Sequence, residues 1–240
     1  MIAVRRTLAA ISGGLPVLGC LCLVLASSWY PGGTWWDPEA LGASFVDTFL
    51  CDLMRQRGIN GALNPVGGIF GRLGMALLVL SLIPTWWLAG SPRESPEAPA
   101  GDAEPPPTGT NPARTAPGAR RTVATARASR ALGLAGLVPL AVGLAIPGAW
   151  FHAVLIPVAG SMELAALTLL TGATFRQPGR RVIGGLGVAS ILVLVVGLGL
   201  YWPTMWFGQL SHRGLPGVQK LGVLTLVAWM VAIARDAWER

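Results

Sequence analysis

The run VIGGLGVASILVLVVGLGLYW, residues Val182–Trp202, carries no charged side chain and determines the fold class. The hydrocarbon core of a bilayer is about 30 Å thick, and a helix of about 20 apolar residues spans it. Inside lipid, only structures that satisfy all of their own backbone hydrogen bonds persist, and a helix does so without a neighbour. The run therefore predicts a transmembrane helix.

Five further runs of similar length and character accompany it. They are Leu8–Ser28, Val66–Ala89, Ala131–Gly148, Ala153–Thr174 and Val218–Ala234. Of the 240 residues, 52% are hydrophobic and 12% are charged, whereas soluble domains carry about 25% charged residues. The fold class predicted is an all-α polytopic membrane bundle of six transmembrane helices.

The first run has an alternative interpretation as a cleaved signal peptide. Arg5 and Arg6 precede it, and the small residues 26–28 resemble a cleavage site. Residues 17–20 also resemble the cleavage site of a lipoprotein, in which Cys20 would become the first residue. A mature lipoprotein becomes polar after that cysteine, whereas apolar residues continue here over 21–25. We favour a retained first span.

The basic residues predict the orientation of the chain. Most of the 18 Lys and Arg residues lie at the start of the chain, in residues 90–130, in residues 176–181 and at the end of the chain. Positively charged loops stay on the cytoplasmic side, so we expect a multi-pass protein of the cell membrane with both termini cytoplasmic. These arginines border apolar runs and are not interleaved with aromatic residues, so no nucleic-acid partner is expected.

Three segments make up the chain in this interpretation. Residues 1–89 hold spans one and two, and residues 131–240 hold spans three to six. Residues 90–130 are rich in Pro, Ala and Arg and contain no aromatic residue. Such a composition buries too little apolar area to offset its ordering entropy, so we expect a disordered cytoplasmic loop.

The segment between spans one and two is too long for a simple connector. Asp37, Pro38 and Glu39 have the pattern of a helix start, with a cap, a proline and an acid in the first turn. Apolar residues then recur at helical spacing, and Gly58 and Gly61 follow. The pattern predicts an extracytoplasmic amphipathic helix over about residues 38–56.

Five short motifs resemble one family. They are YPGGTWWDP (30–38), SFVDTFLCDL (44–53), N-x-x-x-N-P (60–65), IFGRLGM (69–75) and the Gln-Lys pair at 219–220. This combination resembles six-span membrane proteins of unknown function that are distantly akin to the Frag/DRAM/Sfk group. The resemblance implies six spans and brings no known activity. The matching positions are Pro31, Gly32, Gly33, Asp37, Pro38, Ser44, Phe45, Asp52, Asn64, Gln219 and Lys220. Thr48 and Cys51 depart from the asparagine and serine usual there.

Two ionisable residues fall within predicted spans. Glu163 lies near the middle of span four, and Arg72 lies about two turns into span two. An intramembrane charge costs about 2.5–3.5 kcal/mol, so we consider the hypothesis that Arg72 or another interior polar group pairs with Glu163 in the bundle. The alternative is that Arg72 extends to the headgroups and Glu163 stays protonated.

A second group of polar residues lies in the outer segments. Ser44, Asp47, Asp52, His152 and His212 carry a hydroxyl, two carboxylates and two imidazoles, which suit a divalent metal and a bound water. The alternative is that the histidines are ordinary interfacial residues and that Asp52 pairs with Arg55 or Lys220. We favour this alternative and expect no cofactor.

The sequence therefore predicts a non-catalytic membrane bundle that interacts with membrane lipid or with a protein partner. One alternative is a metal-assisted lipid hydrolase that uses Asp52, His152 and His212, with Ser44 as an orienting group. A second alternative is a small-solute or proton-coupled transporter that uses Glu163 and Arg72.

Overall fold

The computed structural model of the protein describes residues 2–89, 117–145, 149–175, 177, 179–207 and 213–239. The long helices in these ranges are α1 (Ile2–Trp29), α2 (Pro65–Ala89), α3 (Pro117–Ala145), α4 (Ala149–Phe175), α5 (Arg181–Phe207) and α6 (Leu215–Trp238). Each contains a stretch that is long and apolar enough to cross a membrane. The chain is a multi-pass membrane protein, and the six predicted spans are confirmed as helices.

The six helices form a closed ring. Each helix packs against its neighbours in the chain, α1 also packs against α6, and α2 reaches α6 across the ring. Because successive helices run in opposite directions, α1 begins where α6 ends. We call this the terminal end of the bundle, and we call the opposite end, where residues 30–64 join α1 to α2, the loop end.

Close backbone contact joins α1 to α2. A Cβ atom on Gly19 would lie 2.9 Å from the backbone oxygen of Gly74, and a Cβ atom on Gly74 would lie 2.8 Å from the backbone oxygen of Gly19. Real Cβ atoms do not approach backbone so closely, so both positions need glycine. Small residues bring membrane helices together in this way, because packing replaces the hydrophobic effect inside lipid.

The centre of the ring is filled near the terminal end. The Trp86 ring of α2 and the Trp229 ring of α6 lie 5.7 Å apart between centroids, and both side chains are buried. Nearby, the hydroxyls of Ser12 and Thr85 share a hydrogen bond of 2.6 Å. This core fixes the inner faces of α1, α2 and α6, and it places Trp86 beside the polar group of α4 described below.

The predicted amphipathic helix over residues 38–56 is wrong. The segment consists of turns and one short 3-10 helix, Asp52–Met54. Asp37 and Pro38 begin a β-turn in which the Ala40 amide donates to the Asp37 carbonyl at 3.2 Å. Gly42 then has a φ of +69°, which interrupts any helix at that residue. Local turn chemistry therefore prevails over the helical spacing of the apolar residues.

The predicted disordered loop over residues 90–130 is wrong for its last part. Helix α3 begins at Pro117, well before the predicted start of span three at Ala131. Proline suits the first position of a helix, and the Ala and Arg residues that follow have high helix propensity. The helix therefore begins nearer the N-terminus than predicted. The remainder of that prediction, residues 90–116, lies outside the described residues.

Candidate functional site

The loop end is closed by a structure that we call the loop cap, made of residues 30–64. Its two halves are bonded to each other: Asn60 Nδ2 donates to the Pro31 carbonyl at 3.0 Å, and the Ile59 amide donates to the Tyr30 hydroxyl at 3.2 Å. Tyr30 is itself only 3% exposed. These bonds give a loop without regular strands or long helices a defined shape.

Two glycines of the cap are required by this geometry. Gly32 and Gly33 have φ angles of +123° and +84°, which L side chains rarely adopt. A Cβ on Gly32 would lie 2.2 Å from the Ala40 carbonyl oxygen, and one on Gly33 would lie 2.3 Å from the Asn60 nitrogen. The Pro-Gly-Gly motif at 31–33 therefore allows the backbone of this segment to pass close to the backbone at Ala40 and at Asn60.

Helix α6 holds the cap through its first polar residues. Lys220 Nζ donates to the carbonyls of Ser44, at 3.2 Å, of Phe45, at 2.7 Å, and of Thr48. Gln219 Oε1 accepts from the Leu50 amide at 3.0 Å. Two motifs separated by about 170 residues thus meet at one place.

Ser44 lies within this contact and is bonded to its own turn. Its Oγ donates to Asp47 Oδ2 at 3.2 Å and accepts from the Asp47 amide at 3.2 Å. The Thr48 amide donates to the Ser44 carbonyl at 3.2 Å, which makes one helical turn of residues 44–48. The Ser44 hydroxyl is therefore bonded to an acid of its own turn.

Asn64 closes the cap against α2. It is 1% exposed, and its Nδ2 donates to the carbonyls of Leu53 at 3.3 Å and Arg55 at 3.0 Å. A buried carbonyl without a donor costs about 1–3 kcal/mol, so this side chain supports the 3-10 helix from inside.

Asp52 is the buried acid of the cap, only 2% exposed. Arg55 Nη1 lies 3.5 Å from Asp52 Oδ1, and Oδ2 is buried without a hydrogen-bond partner. Burial raises the pKa of Asp52, while Arg55, the Phe49 backbone and Trp35 oppose the rise. The structure pairs Asp52 with Arg55, one of the two partners considered from the sequence.

Asp52 and His152 belong to no metal centre within the part of the chain that the structure describes. A ring nitrogen of His152, Nδ1, lies 2.9 Å from the Gly143 carbonyl oxygen, so this side chain links α4 to α3. His212 lies outside the described residues. The described ranges contain no group of three or more His, Cys, Asp or Glu side chains placed to hold a metal ion.

The hypothesis that Arg72 pairs with Glu163 is wrong. Arg72 Nε donates to the Met54 carbonyl of the loop cap at 3.1 Å, and Glu163 Oε2 accepts from Trp86 Nε1 at 2.9 Å. Arg72 and Trp86 are both on α2 and are separated by about 21 Å at 1.5 Å per residue. The contact with Trp86 places Glu163 beside the last turn of α2, whereas Arg72 lies near the start of that helix.

A groove opens between α1 and α6 at the terminal end. It has a volume of about 310 Å³ and a mostly apolar wall of small residues. The lining consists of Ala9, Ala10, Gly13, Gly14, Val17, Val231, Ala234, Arg235 and Trp238. Arg6 lies over the Trp238 ring, 5.9 Å from its centroid, so two arginines flank one mouth of the groove.

One ion pair was missed from the sequence. Arg180, just before α5, donates to Asp236 in the last turn of α6 and, through Nη1, to Gln177 Oε1 at 2.9 Å. The Arg180 side chain is only 2% exposed. The order of the spans could have indicated this pair. With six spans, the start of α5 and the end of α6 must lie at the same end of the bundle.

Comparison of the chain with family models, with curated proteins and with solved structures found no match.

Proposed function

We propose that this protein is a non-catalytic lipid-binding protein of the cell membrane, with both termini cytoplasmic, and that its lipid lies in the groove between α1 and α6. The single observation that carries the proposal is the groove itself, because most of its wall consists of small residues, namely Ala9, Ala10, Gly13, Gly14 and Ala234. A Cβ atom on Gly14 would have no neighbouring atom within 4 Å. Such a surface leaves room for a chain of methylene groups beside the helices.

The chemistry at the mouth of the groove favours an anionic phospholipid. Arg235 and Trp238 line it, and Trp238 is 53% exposed. Tryptophan rings favour the headgroup region, and a basic residue near the surface attracts anionic lipid by about 1 kcal/mol. Glu239 accepts from Arg235 Nε at 2.8 Å, so a phosphate would share this guanidinium with an exposed carboxylate.

We also propose that the chain belongs to the six-span family that its motifs resemble. What supports this is that the motif residues are mutual partners in the loop cap. Lys220 and Gln219 bind the turn that contains Ser44 and Phe45, and Asn64 binds the segment after Asp52.

The experiment compares lipid binding by two glycine-to-leucine variants. In Gly14→Leu the new side chain fills the groove, and in Gly172→Leu it projects from α4 into equally open space elsewhere. Displacing about two methylenes at about 0.8 kcal/mol each weakens binding about tenfold. Native mass spectrometry of protein in detergent with phosphatidylglycerol, and with phosphatidylcholine as the neutral reference, measures the bound lipid.

We expect Gly14→Leu to lose phosphatidylglycerol and Gly172→Leu to keep it. Equal binding by both variants and the unaltered protein would overturn the proposal, and so would equal affinity for the neutral lipid.

A further inference from the structure

Glu163 is the acid placed deepest in the bundle. It lies at the middle of α4, and helices α1, α2, α3 and α5 contain no acidic residue. Its two carboxyl oxygens have different surroundings. Oε2 accepts from Trp86 Nε1 at 2.9 Å, whereas Oε1 is buried and has no hydrogen-bond partner.

The space around Oε1 is bounded by α3 at Gly136. A Cβ atom added to Gly136 would lie 3.1 Å from Oε1 and 3.2 Å from the Met162 Cβ. The glycine therefore lets the α3 backbone approach the carboxyl group closely without covering it with a side chain. Oε1 has room for a hydrogen atom but faces no donor among the described residues.

No described ion pair includes Glu163. The titratable side chains described on the helices around it are Arg72 on α2, Arg127 and Arg130 on α3, His152 on α4, and Arg181 and Tyr201 on α5. Along its own helix, His152 is roughly 16 Å away, and Arg130 is roughly 9 Å from Gly136. An acid in lipid without a charged partner is costly in its ionised form.

From this geometry we propose that Glu163 is a reversible proton-binding site, with the proton carried on Oε1. An indole nitrogen only donates hydrogen bonds, so Oε2, which faces Trp86, must act as an acceptor. The proton therefore binds the other oxygen. The reaction is one proton plus the Glu163 carboxylate giving the carboxylic acid, and the indole bond persists in both forms.

The test is labelling with dicyclohexylcarbodiimide, which enters apolar regions and reacts with protonated carboxyl groups. The full-length protein in detergent is treated across a series of pH values, and peptide mass spectrometry quantifies the adduct on Glu163. We expect strong labelling in acid that falls about tenfold for each pH unit above a midpoint, as the protonated fraction does.

Two variants and a second measurement complete the design. Glu163→Gln removes the adduct from this peptide, and Glu39→Gln, which changes an exposed acid of the loop cap, leaves it unchanged. Infrared difference spectra between acid and alkaline solutions of the unaltered protein should contain the carbonyl band of a buried carboxylic acid. Absence of labelling in acid, or a labelling yield that does not vary with pH, overturns the proposal. So does a carbonyl band that is the same in acid and in alkaline solution.

Discussion

The two ends of α6 are fastened by different chemistry. At the loop end, Lys220 donates to three backbone carbonyls of residues 44–48. At the terminal end, Asp236 accepts from the buried Arg180. Carbonyl dipoles satisfy an ammonium group without a second charge, whereas Asp236 binds its cation as a charged carboxylate. We therefore expect that removing Lys220 leaves neutral carbonyls at the loop end, whereas removing Arg180 takes a buried guanidinium away from a charged group at the terminal end.

The largest expected effect is at the terminal end. Arg180→Ala removes the buried guanidinium that donates to Asp236, a carboxylate whose side chain is only 18% exposed. Removing one member of a buried ion pair costs about 3–5 kcal/mol, so we expect a loss of that size in the free energy of unfolding. Unfolding of the protein in detergent micelles, followed by circular dichroism, measures it.

Arg181→Ala is the matched control, because it removes an exposed arginine one residue further along the chain. A double variant, Arg180→Met with Asp236→Leu, should recover most of the loss, since it replaces both charges by apolar groups. If Arg180→Ala and Arg181→Ala have equal stability, the ion pair does not hold this end.

A smaller effect is expected at the loop end. Lys220→Met keeps the length of the side chain and removes the donor to the Ser44, Phe45 and Thr48 carbonyls. Hydrogen bonds to a charged group contribute about 1.5–3 kcal/mol, and the carbonyls that lose theirs stay neutral, so the loss should fall in that range. Limited proteolysis should in addition cut the cap near residues 44–50 faster.

Arg213→Met provides the control at the same end, because Arg213 is an exposed basic residue close to the start of α6. A loss for Lys220→Met as large as that for Arg180→Ala would contradict the comparison, because it would show that carbonyl and carboxylate partners are equivalent here.

The difference between the ends also explains how much the sequence could predict. The spans follow from composition and length alone, because lipid admits few alternatives. Lys220 and Gln219 could be singled out only by resemblance, since their partners are backbone atoms of a loop about 170 residues away. Arg180 was counted only as a basic residue that sets orientation, although it forms the buried ion pair.

The polar residues inside and beside the bundle were less predictable. Glu163 and Asp52 could both be singled out from the sequence as polar residues in unusual places. Arg72 is not the partner of Glu163, because residue counting does not give the vertical offset between helices. The partner of Glu163 is the indole of Trp86, which no sequence prediction had singled out. The amphipathic spacing of residues 38–56 misled because turns in the cap bury apolar side chains without a helix.

The smallest expected effect is the contribution of Asp52 to the pH dependence of stability. Its sign tests whether the loop end depends on a charged pair as the terminal end does. Burial raises the pKa of Asp52. Arg55 opposes this rise only in part, because its side chain is 49% exposed and its Nη1 lies 3.5 Å from Asp52 Oδ1. The folded protein therefore binds the proton more tightly than the unfolded chain, whose aspartates titrate near pH 3.9. Stability from this group should increase as pH falls through the raised pKa toward 3.9, and should be lost again as pH rises.

Asp52→Asn should abolish that part of the pH dependence, and the exposed Glu39→Gln should retain it. The measurement is the free energy of unfolding of each protein in detergent between neutral and mildly acidic pH. If pairing with Arg55 dominated, acid would instead weaken the folded protein relative to Asp52→Asn, as expected for a carboxylate that depends on a cation. The loop end would then resemble the Arg180–Asp236 contact, and the distinction between the two ends of α6 would no longer hold.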